Sequence, residues 1–317
     1  MEKKSTKLRK LLQGEELLFM VMVGTAQEAL LAQKVGFKAI GISGASTCIQ
    51  ILGLPDAGFL TMTELVENVE RICRVVDLPV RVDCDTGFGN AINVRRTVES
   101  VIRAGAASLF IEDQVAPKRC GFTRGKEVVP IEEAVGKYRA AVDVRNEMDP
   151  DFTIMARCDA RGAAGGSLEE VIRRGKAYLE AGVDIFYPEA LQSREEIKEV
   201  RKALPNCLLY ASTQAIQPPL SEEEYKELGL CMAICHIFEI GAIAMYDFLV
   251  ELKKRGIVAV NEFRQKAKSH PLGEFGNLDL TGFPKIAEWE KKYLSPEQLK
   301  KYDGAIGIYD PRVGRKG

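Results

Sequence analysis

The chain has 317 residues, 46% hydrophobic and 28% charged, with a formal net charge of -1. That composition belongs to a soluble globular protein with a large core, and the length fits one α/β barrel carrying a terminal arm. No basic excess points to nucleic acid, no window approaches the ~18 uninterrupted apolar residues of a membrane span, and the first residues lack an apolar secretion signal, so a cytoplasmic protein is expected.

Basic residues cluster at the N-terminus (Lys3, Lys4, Lys7, Arg9, Lys10) and the C-terminus (Arg312, Arg315, Lys316), where they read as solvated tails. Eight cysteines lie scattered without CxxC pairs, several within apolar runs, and read as reduced thiols.

In chain order, eight apolar β-rich runs appear: LLFMVMVG (17–24), KAIGISG (38–44), PVRVDCDTG (79–87), SLFIEDQ (108–114), FTIMARCDA (152–160), DIFYPEA (184–190), CLLYAST (207–213) and LCMAICHI (230–237). Stretches of helical period separate them, such as TAQEALLAQKVG, MTELVENVERICRVV and SLEEVIRRGKAYLEAG. Three such stretches end in a Gly turn (VGFKAI, AGAASLF, AGVDIF), where glycine supplies the positive φ of a helix C-cap. Strands apolar on both faces indicate a parallel sheet covered by helices, and eight βα units close into a (β/α)₈ TIM barrel spanning 1–255. A doubly wound open sheet is the competing architecture, but no GxGxxG follows the first strand. Beyond 255 the pattern loosens into a helical arm, 256–317, with PKIAEWEKKYL and SPEQLKKY as its helical stretches.

Polar groups gather at the C-terminal ends of the strands: Ser43 and Gly44, Asp83 and Asp85, Glu112 with Asp113 and Gln114, Arg157 and Asp159, and Glu189. Barrel enzymes place their chemistry at that face. Asp83 and Asp85, two apart on a strand, share one side and repel unless a cation or proton lies between them. Glu112 and the acidic LPDAG loop (Asp56) add carboxylates, and oxygen-only ligands favour Mg²⁺ or Mn²⁺ over Zn²⁺. Alternatively Asp83 and Asp85 cap turns or pair with Arg81 and Arg161. Arg157 offers a planar fork for a substrate carboxylate, or else forms a structural ion pair; Ser43 and Gly44 offer hydroxyl and backbone N–H donors.

The connection VAPKRCGFTRGKEVVP after the fourth strand has the length and the Gly, Lys and Arg content of an active-site lid. Cys120 sits within it, and flanking Lys118 and Arg119 predict a lowered thiol pKa.

Taken together, SGAS (43–46), LGLPDAG (52–58), VDCDTGFGNAINVRRTV (82–98), AGAASLFIEDQVAPKRCG (104–121), GKEVVP (125–130), ARCDA (156–160) and AGVDIFYPEA (181–190) resemble the isocitrate lyase and phosphoenolpyruvate mutase superfamily, nearest its methylisocitrate lyase and dimethylmalate lyase branch. The resemblance implies a barrel that exchanges a C-terminal helix within a homo-oligomer, a dimer of dimers, acting on a small carboxylate. It implies Mg²⁺ near Asp83 and Asp85, with Asp56 and Glu112 reaching it through waters. Ser43, Gly44 and Ala45 would hold the 2-oxo-carboxylate end, with Arg157 and Glu189 orienting the substrate. Lys118 and Gly121 belong to a gating loop whose Cys120 protonates the enolate left by carbon–carbon cleavage. The implied activity is cleavage of a 2-hydroxy di- or tricarboxylate, methylisocitrate- or dimethylmalate-like, to a 2-oxo acid such as pyruvate.

Three departures fall on the distal half of that site. Phe122 follows KRCG where the lyases have histidine, and Gly41 stands two residues before Ser43 where they often have tyrosine. Residues 211–219 read ASTQAIQPP and lack the family's Asn and Glu. A less charged or bulkier apolar group near Phe122 and Ile216 is therefore expected. The base for the hydroxyl proton stays open between Tyr187 and Glu189. The alternative readings are a C–P bond enzyme acting on phosphonopyruvate or carboxyphosphonoenolpyruvate, an oxaloacetate hydrolase or decarboxylase, and a non-catalytic scaffold; retention of the carboxylates and Cys120 argues against the last.

Overall fold

The computed structural model describes residues 2–315. The chain divides into two compact units, Met1–Ile240 and Gly241–Gly317, each taken by itself.

Eight parallel strands form the first unit: β1 (Leu18–Val23), β2 (Ile40–Ile42), β3 (Val80–Asp83), β4 (Ser108–Glu112), β5 (Thr153–Cys158), β6 (Ile185–Pro188), β7 (Leu208–Leu209) and β8 (Met232–His236). All eight runs expected from the sequence are present. Neighbours pair in the order β7-β6-β5-β4-β3-β2-β1-β8, and the single parallel bridge Leu209↔Leu230 joins the two ends.

The helices are α1 (Lys4–Gln13), α2 (Ala26–Val35), α3 (Gly44–Thr47), α4 (Met62–Val75), α5 (Ala91–Arg103), α6 (Ile131–Met148), α7 (Leu168–Glu180), α8 (Arg194–Ala203), α9 (Glu222–Glu227) and α10 (Ile237–Arg255). Thr25, Thr61 and Ser221 start α2, α4 and α9 with reciprocal caps to a Glu three residues on, satisfying backbone donors the helix leaves free. Gly36, Gly105 and Gly182 hold φ of +101°, +92° and +94° in the turns expected to need glycine.

Because side chains alternate along a strand, the barrel has two apolar compartments. Val21, Val23, Ile40, Ile42, Val80 and Val82 face outward and pack with the helices. Met20, Phe110, Met155, Ile185, Tyr187, Tyr210 and Met232 face inward, together with Leu8 and Leu12 of α1. Helix α1 thus covers apolar barrel interior, which corrects the reading of the N-terminal basic cluster as a solvated tail. Lys4 Nζ donates to the Cys73 and Val76 carbonyls at 2.8 and 2.6 Å, and Arg9 reaches Asp184 at 2.9 Å. At the other end Arg312 pairs with Asp303 and Asp310, and Lys316 lies outside the described residues. No helix among the described residues is long and apolar enough to cross a membrane.

The second unit contains α11 (Ile257–Ala267), α12 (Gly276–Leu280), α13 (Phe283–Tyr293), α14 (Pro296–Leu299) and an antiparallel pair, β9 (Tyr309–Asp310) with β10 (Gly314–Arg315). The rings of Phe283 and Tyr309 stack at 5.0 Å within it.

Candidate active site

One cavity of about 80 Å³ opens at the C-terminal ends of the strands, several times the ~10–15 Å³ that one water needs. Ser43, Ala45, Asp56, Asp83, Cys120, Gly121, Arg157 and Glu189 all line it, whereas Gly44, Asp85, Glu112 and Lys118 are not among its lining residues.

The carboxylates come first. Asp83 ends β3; its Oδ2 accepts the Gly44 N–H at 3.0 Å and its Oδ1 the Asp85 N–H at 3.1 Å. Asp85 sits at φ +46°, a left-handed turn that brings its carboxylate back beside Asp83. A Cβ on Gly44 would lie 3.0 Å from Asp83 Oδ2 and 3.1 Å from Asp85 Oδ1, so both acids close on one point that only glycine leaves open. Lys118 enters from the loop after β4: its ammonium pairs with Asp56 and stands 3.0 Å from Asp85 Oδ1. Burial lifts the Asp85 carboxyl to about 7, against the pull of Lys118 and with the help of Asp83 and Asp56. Burial likewise pushes Glu112 well up, against Arg157, which stands 3.3 Å away. Lys118 itself is raised; burial works against its charge, and Glu112, Asp85, Asp83 and Asp56 together prevail.

Asp83 and Asp85 pair with neither arginine named for them: Arg161 forks Glu196 at 2.8 Å, and Arg81 turns to three methionine sulfurs. Among the described residues no three His, Cys, Asp or Glu side chains are gathered tightly enough to hold a metal alone. The donor set nevertheless fits a divalent ion that keeps much of its water. It is all hard oxygen, both Glu112 oxygens and Asp85 Oδ1 are buried without a hydrogen bond, and Lys118 already stands there as a cation.

Arg157 is committed to Asp159, with Nε and Nη2 donating at 2.8 and 3.0 Å. The fork is therefore turned sideways, and Nη1 is the nitrogen that faces Glu112. Lys126 fixes the far side, donating to Asp159 at 3.2 Å and to the Gly121 carbonyl at 2.6 Å. Gly121 lies so close that a Cβ would stand 2.8 Å from Arg157 Nη2 and 2.9 Å from Glu189 Oε1. The loop is thus drawn down over the site. The Tyr187 hydroxyl donates to Glu189 Oε2, and Arg157 lies over the Tyr187 ring at 5.4 Å. Ser43 caps α3, its Oγ accepting the Ser46 N–H at 3.2 Å.

The Cys120 thiol pKa is raised, which corrects the expected lowering. Burial is the main cause and Asp56 adds to it, outweighing the Phe122 backbone, Lys118 and Arg157. Lys118 spends its charge on Asp56 and Asp85, and the Arg119 side chain lies beside Gly125. Asp113 leaves the mouth altogether: it faces outward to Arg174 and Tyr178 at 3.1 and 2.6 Å. Gln114 instead braces the loop through both backbone groups of Arg119.

In the distal half Phe122, Ser212, Thr213 and Gln214 line the cavity, while Ile216 is buried among the outer core residues and does not. Sequence reasoning did not place Arg81, Tyr210 or His236 in the cavity, yet all three line it. The signal was present for Arg81, since it stands two residues before Asp83 and shares its face.

A parallel barrel whose strand ends bring carboxylates, an arginine and a loop cysteine to one cavity has the build of an enzyme active site. The family model described as phosphoenolpyruvate phosphomutase matches residues 8–245, and the chain belongs to the phosphoenolpyruvate mutase and isocitrate lyase superfamily, among its carbon–carbon lyases. It is 38% identical over 295 residues to a 2,3-dimethylmalate lyase of Eubacterium barkeri, covering 92% of this chain and 98% of that one. It is 47% identical over 211 residues to a 2-methylisocitrate lyase of Salmonella typhimurium, covering 66% of this chain and 70% of that one. Among solved structures, a 2,3-dimethylmalate lyase superposes with a TM-score of 0.84 at 28% identity, covering 97% of this chain and 100% of that one. A phosphonopyruvate hydrolase complexed with oxalate and Mg²⁺ superposes at 0.80 and 30%, covering 93% of this chain and 100% of that one.

Proposed function

We propose that this lyase cleaves a small 2-hydroxy di- or tricarboxylate to a 2-oxo acid and a second carboxylic acid. The observation that carries the reading is the convergence of Asp83, Asp56, Arg157, Glu189 and Cys120 on one cavity beneath a lowered loop.

The 2-hydroxy-carboxylate end belongs against Ser43, Ala45 and Asp83. Asp83 and Asp85 would hold Mg²⁺ or Mn²⁺, with Asp56 and Glu112 reaching it through waters. When bound, the ion supplies positive charge to the oxygens on which negative charge gathers. Glu189, hydrogen-bonded by Tyr187, is positioned to take the hydroxyl proton. As the C2–O bond becomes a carbonyl, the C2–C3 bond breaks and its electron pair stays on C3. Cys120 then gives its proton to C3 and recovers one from water. A raised thiol pKa suits that role, because an acid must be protonated at neutral pH. The lowered loop excludes the water that would otherwise quench the carbanion.

The relatives' substrates make dimethylmalate- and methylisocitrate-like acids the first to test. The test is release of a 2-oxo acid from such a panel, with and without EDTA and beside Cys120→Ser. Release requiring both metal and Cys120 supports the reading; release unaffected by either overturns it.

Helix α10, which runs from the first unit into the second, bears on assembly. Helix α10 buries none of its residues and exposes Ile240, Ile243, Met245, Tyr246 and Leu249, an apolar face of the kind a second copy covers. That exposed face supports a homo-oligomer, the dimer of dimers being part of the same proposal, and light scattering on the eluted protein tests it. All eight cysteines are free, in keeping with a reducing cytoplasm.

A further inference from the structure

The floor of the cavity holds a charge that no carboxylate among the described residues neutralises. Arg81 precedes Asp83 by two residues on β3 and points the same way, so at about 3.3 Å per residue it starts roughly 6–7 Å deeper in the barrel. It is 2% exposed, and it lines the same cavity as Ser43, Asp83 and Cys120. Its hydrogen bonds all run to thioethers: Nη1 to Met232 at 3.1 Å and Met155 at 3.7 Å, Nη2 to Met22 at 3.4 Å. Nε has no partner. The rings of Phe110 and Tyr210 lie 5.5 and 5.6 Å from the guanidinium carbon.

Every other buried arginine or lysine lining or bracing this site has a carboxylate: Arg157 has Asp159, Lys118 has Asp56 and Asp85, Lys126 has Asp159. No ion pair is formed by Arg81 among the described residues. Thioether sulfur is a weak acceptor, and an aromatic face attracts a cation without replacing its counter-ion. A guanidinium cannot shed its charge as a buried lysine can, so the cost of burying it stands until an anion arrives.

The neighbouring strand packs closely against it. Gly41 is the register partner of Arg81 across β2 and β3. A Cβ at position 41 would stand 2.4 Å from Met22 Sδ and 3.6 Å from Arg81 Nη2, so glycine here leaves the Met22 thioether its place against the guanidinium.

We infer that Arg81 is the receptor for a second carboxylate of the substrate at the cavity floor, which makes the enzyme selective for dicarboxylates over 2-hydroxy acids with an uncharged tail. The orientation rests on the lyase reading, which keeps the first carboxylate and the hydroxyl at the strand ends; the anion site itself does not. Arg81 does not restore the Asn and Glu missing from residues 211–219; it offers a positive charge from a different strand, and on this inference the distal group is anionic, where the sequence pointed to a less charged or apolar one.

Lactate and malate share the 2-hydroxy-carboxylate end and differ in the second carboxylate, so calorimetry with both in saturating Mg²⁺ isolates the subsite. The wild type should bind malate at least about tenfold tighter than lactate. Arg81→Leu should bind lactate within about twofold of wild type and lose the malate preference. Succinate, which lacks the hydroxyl, should raise the melting temperature of the metal-free wild type and not of Arg81→Leu at equal ionic strength. Malate preference or succinate protection persisting in a folded Arg81→Leu overturns the inference. If Arg81→Leu fails to fold, Arg81→Met takes its place, and failure of both makes the charge structural and overturns it as well. A wild type that shows Arg81-dependent succinate protection but binds neither hydroxy acid would keep the anion site and remove the lyase orientation.

Discussion

The Lys118 ammonium stands 3.0 Å from Asp85 Oδ1, in the place where a divalent cation would meet the same carboxylate. On the proposed metal site, the lowered loop and the ion would compete for Asp85. Replacing the lysine by an uncharged side chain of similar length, Lys118→Met, should raise Mg²⁺ affinity by about tenfold at pH 8. It should also destabilise the metal-free protein by on the order of 3 kcal/mol, because breaking a buried pair leaves a buried charge alone. Calorimetry and thermal unfolding with and without Mg²⁺ check both effects; a variant with unchanged affinity would show that Lys118 and the ion do not share the site.

Asp85 also sets a pH dependence. Its folded-state pKa, about 7, lies above the ordinary 3.8, so the folded protein binds this proton more tightly than the unfolded chain does. The resulting stability is complete below the unfolded value and is lost as pH rises towards 7. A divalent ion needs the ionised form, so Mg²⁺ binding should weaken as pH falls below 7, by up to about tenfold per pH unit. Calorimetry in buffers of different ionisation enthalpy should show close to one proton released at pH 6 and little at pH 8.

Burial keeps the Cys120 thiol protonated, so it should be alkylated by iodoacetamide more slowly at pH 7 than a free cysteine. Cys120→Ser should lower 2-oxo acid release by about 10²- to 10⁴-fold, the usual weight of a positioned acid, with an unchanged melting temperature. Peptide mapping after alkylation and single-turnover assays measure the two effects separately.

The sequence makes the barrel legible because each strand is apolar on both faces and each ends in polar residues, and both features are local. The Asp83 and Asp85 pair, the Arg157 strand end and the Gly turns at 36, 105 and 182 follow from period and position alone. What it hides is where long side chains go. Lys118 and Arg119 flank Cys120 in sequence, yet one ammonium crosses to Asp56 and Asp85, contributed by residues far earlier in the chain, and so the thiol is not activated. Lys4 and Arg9 look like a charged tail until the carbonyls of Cys73 and Val76 and the Asp184 carboxylate are brought beside them. Arg81 looks like a partner for Asp83 because they share a face, but the inward methionines of β1, β5 and β8 surround it instead.

Gly121 lies against Arg157 and Glu189 with no room for a methyl group: a Cβ would stand 2.8 Å from Nη2 of one and 2.9 Å from Oε1 of the other. Its φ is not in the left-handed region, so alanine strains no backbone there and acts through contact alone. Both neighbours are held, Arg157 by Asp159 and Glu189 by Tyr187, so the loop must yield. Gly121→Ala should therefore hold the loop away from the strand ends while leaving the barrel intact, with a stability change within about 1 kcal/mol. Lifting the loop misplaces Cys120, and a displacement near 1 Å is enough to cost about 10²-fold in turnover. The same displacement exposes the thiol, so Cys120 should alkylate faster in Gly121→Ala than in the wild type. Loss of turnover without faster alkylation would mean that the loop still closes and that the added methyl blocks substrate directly.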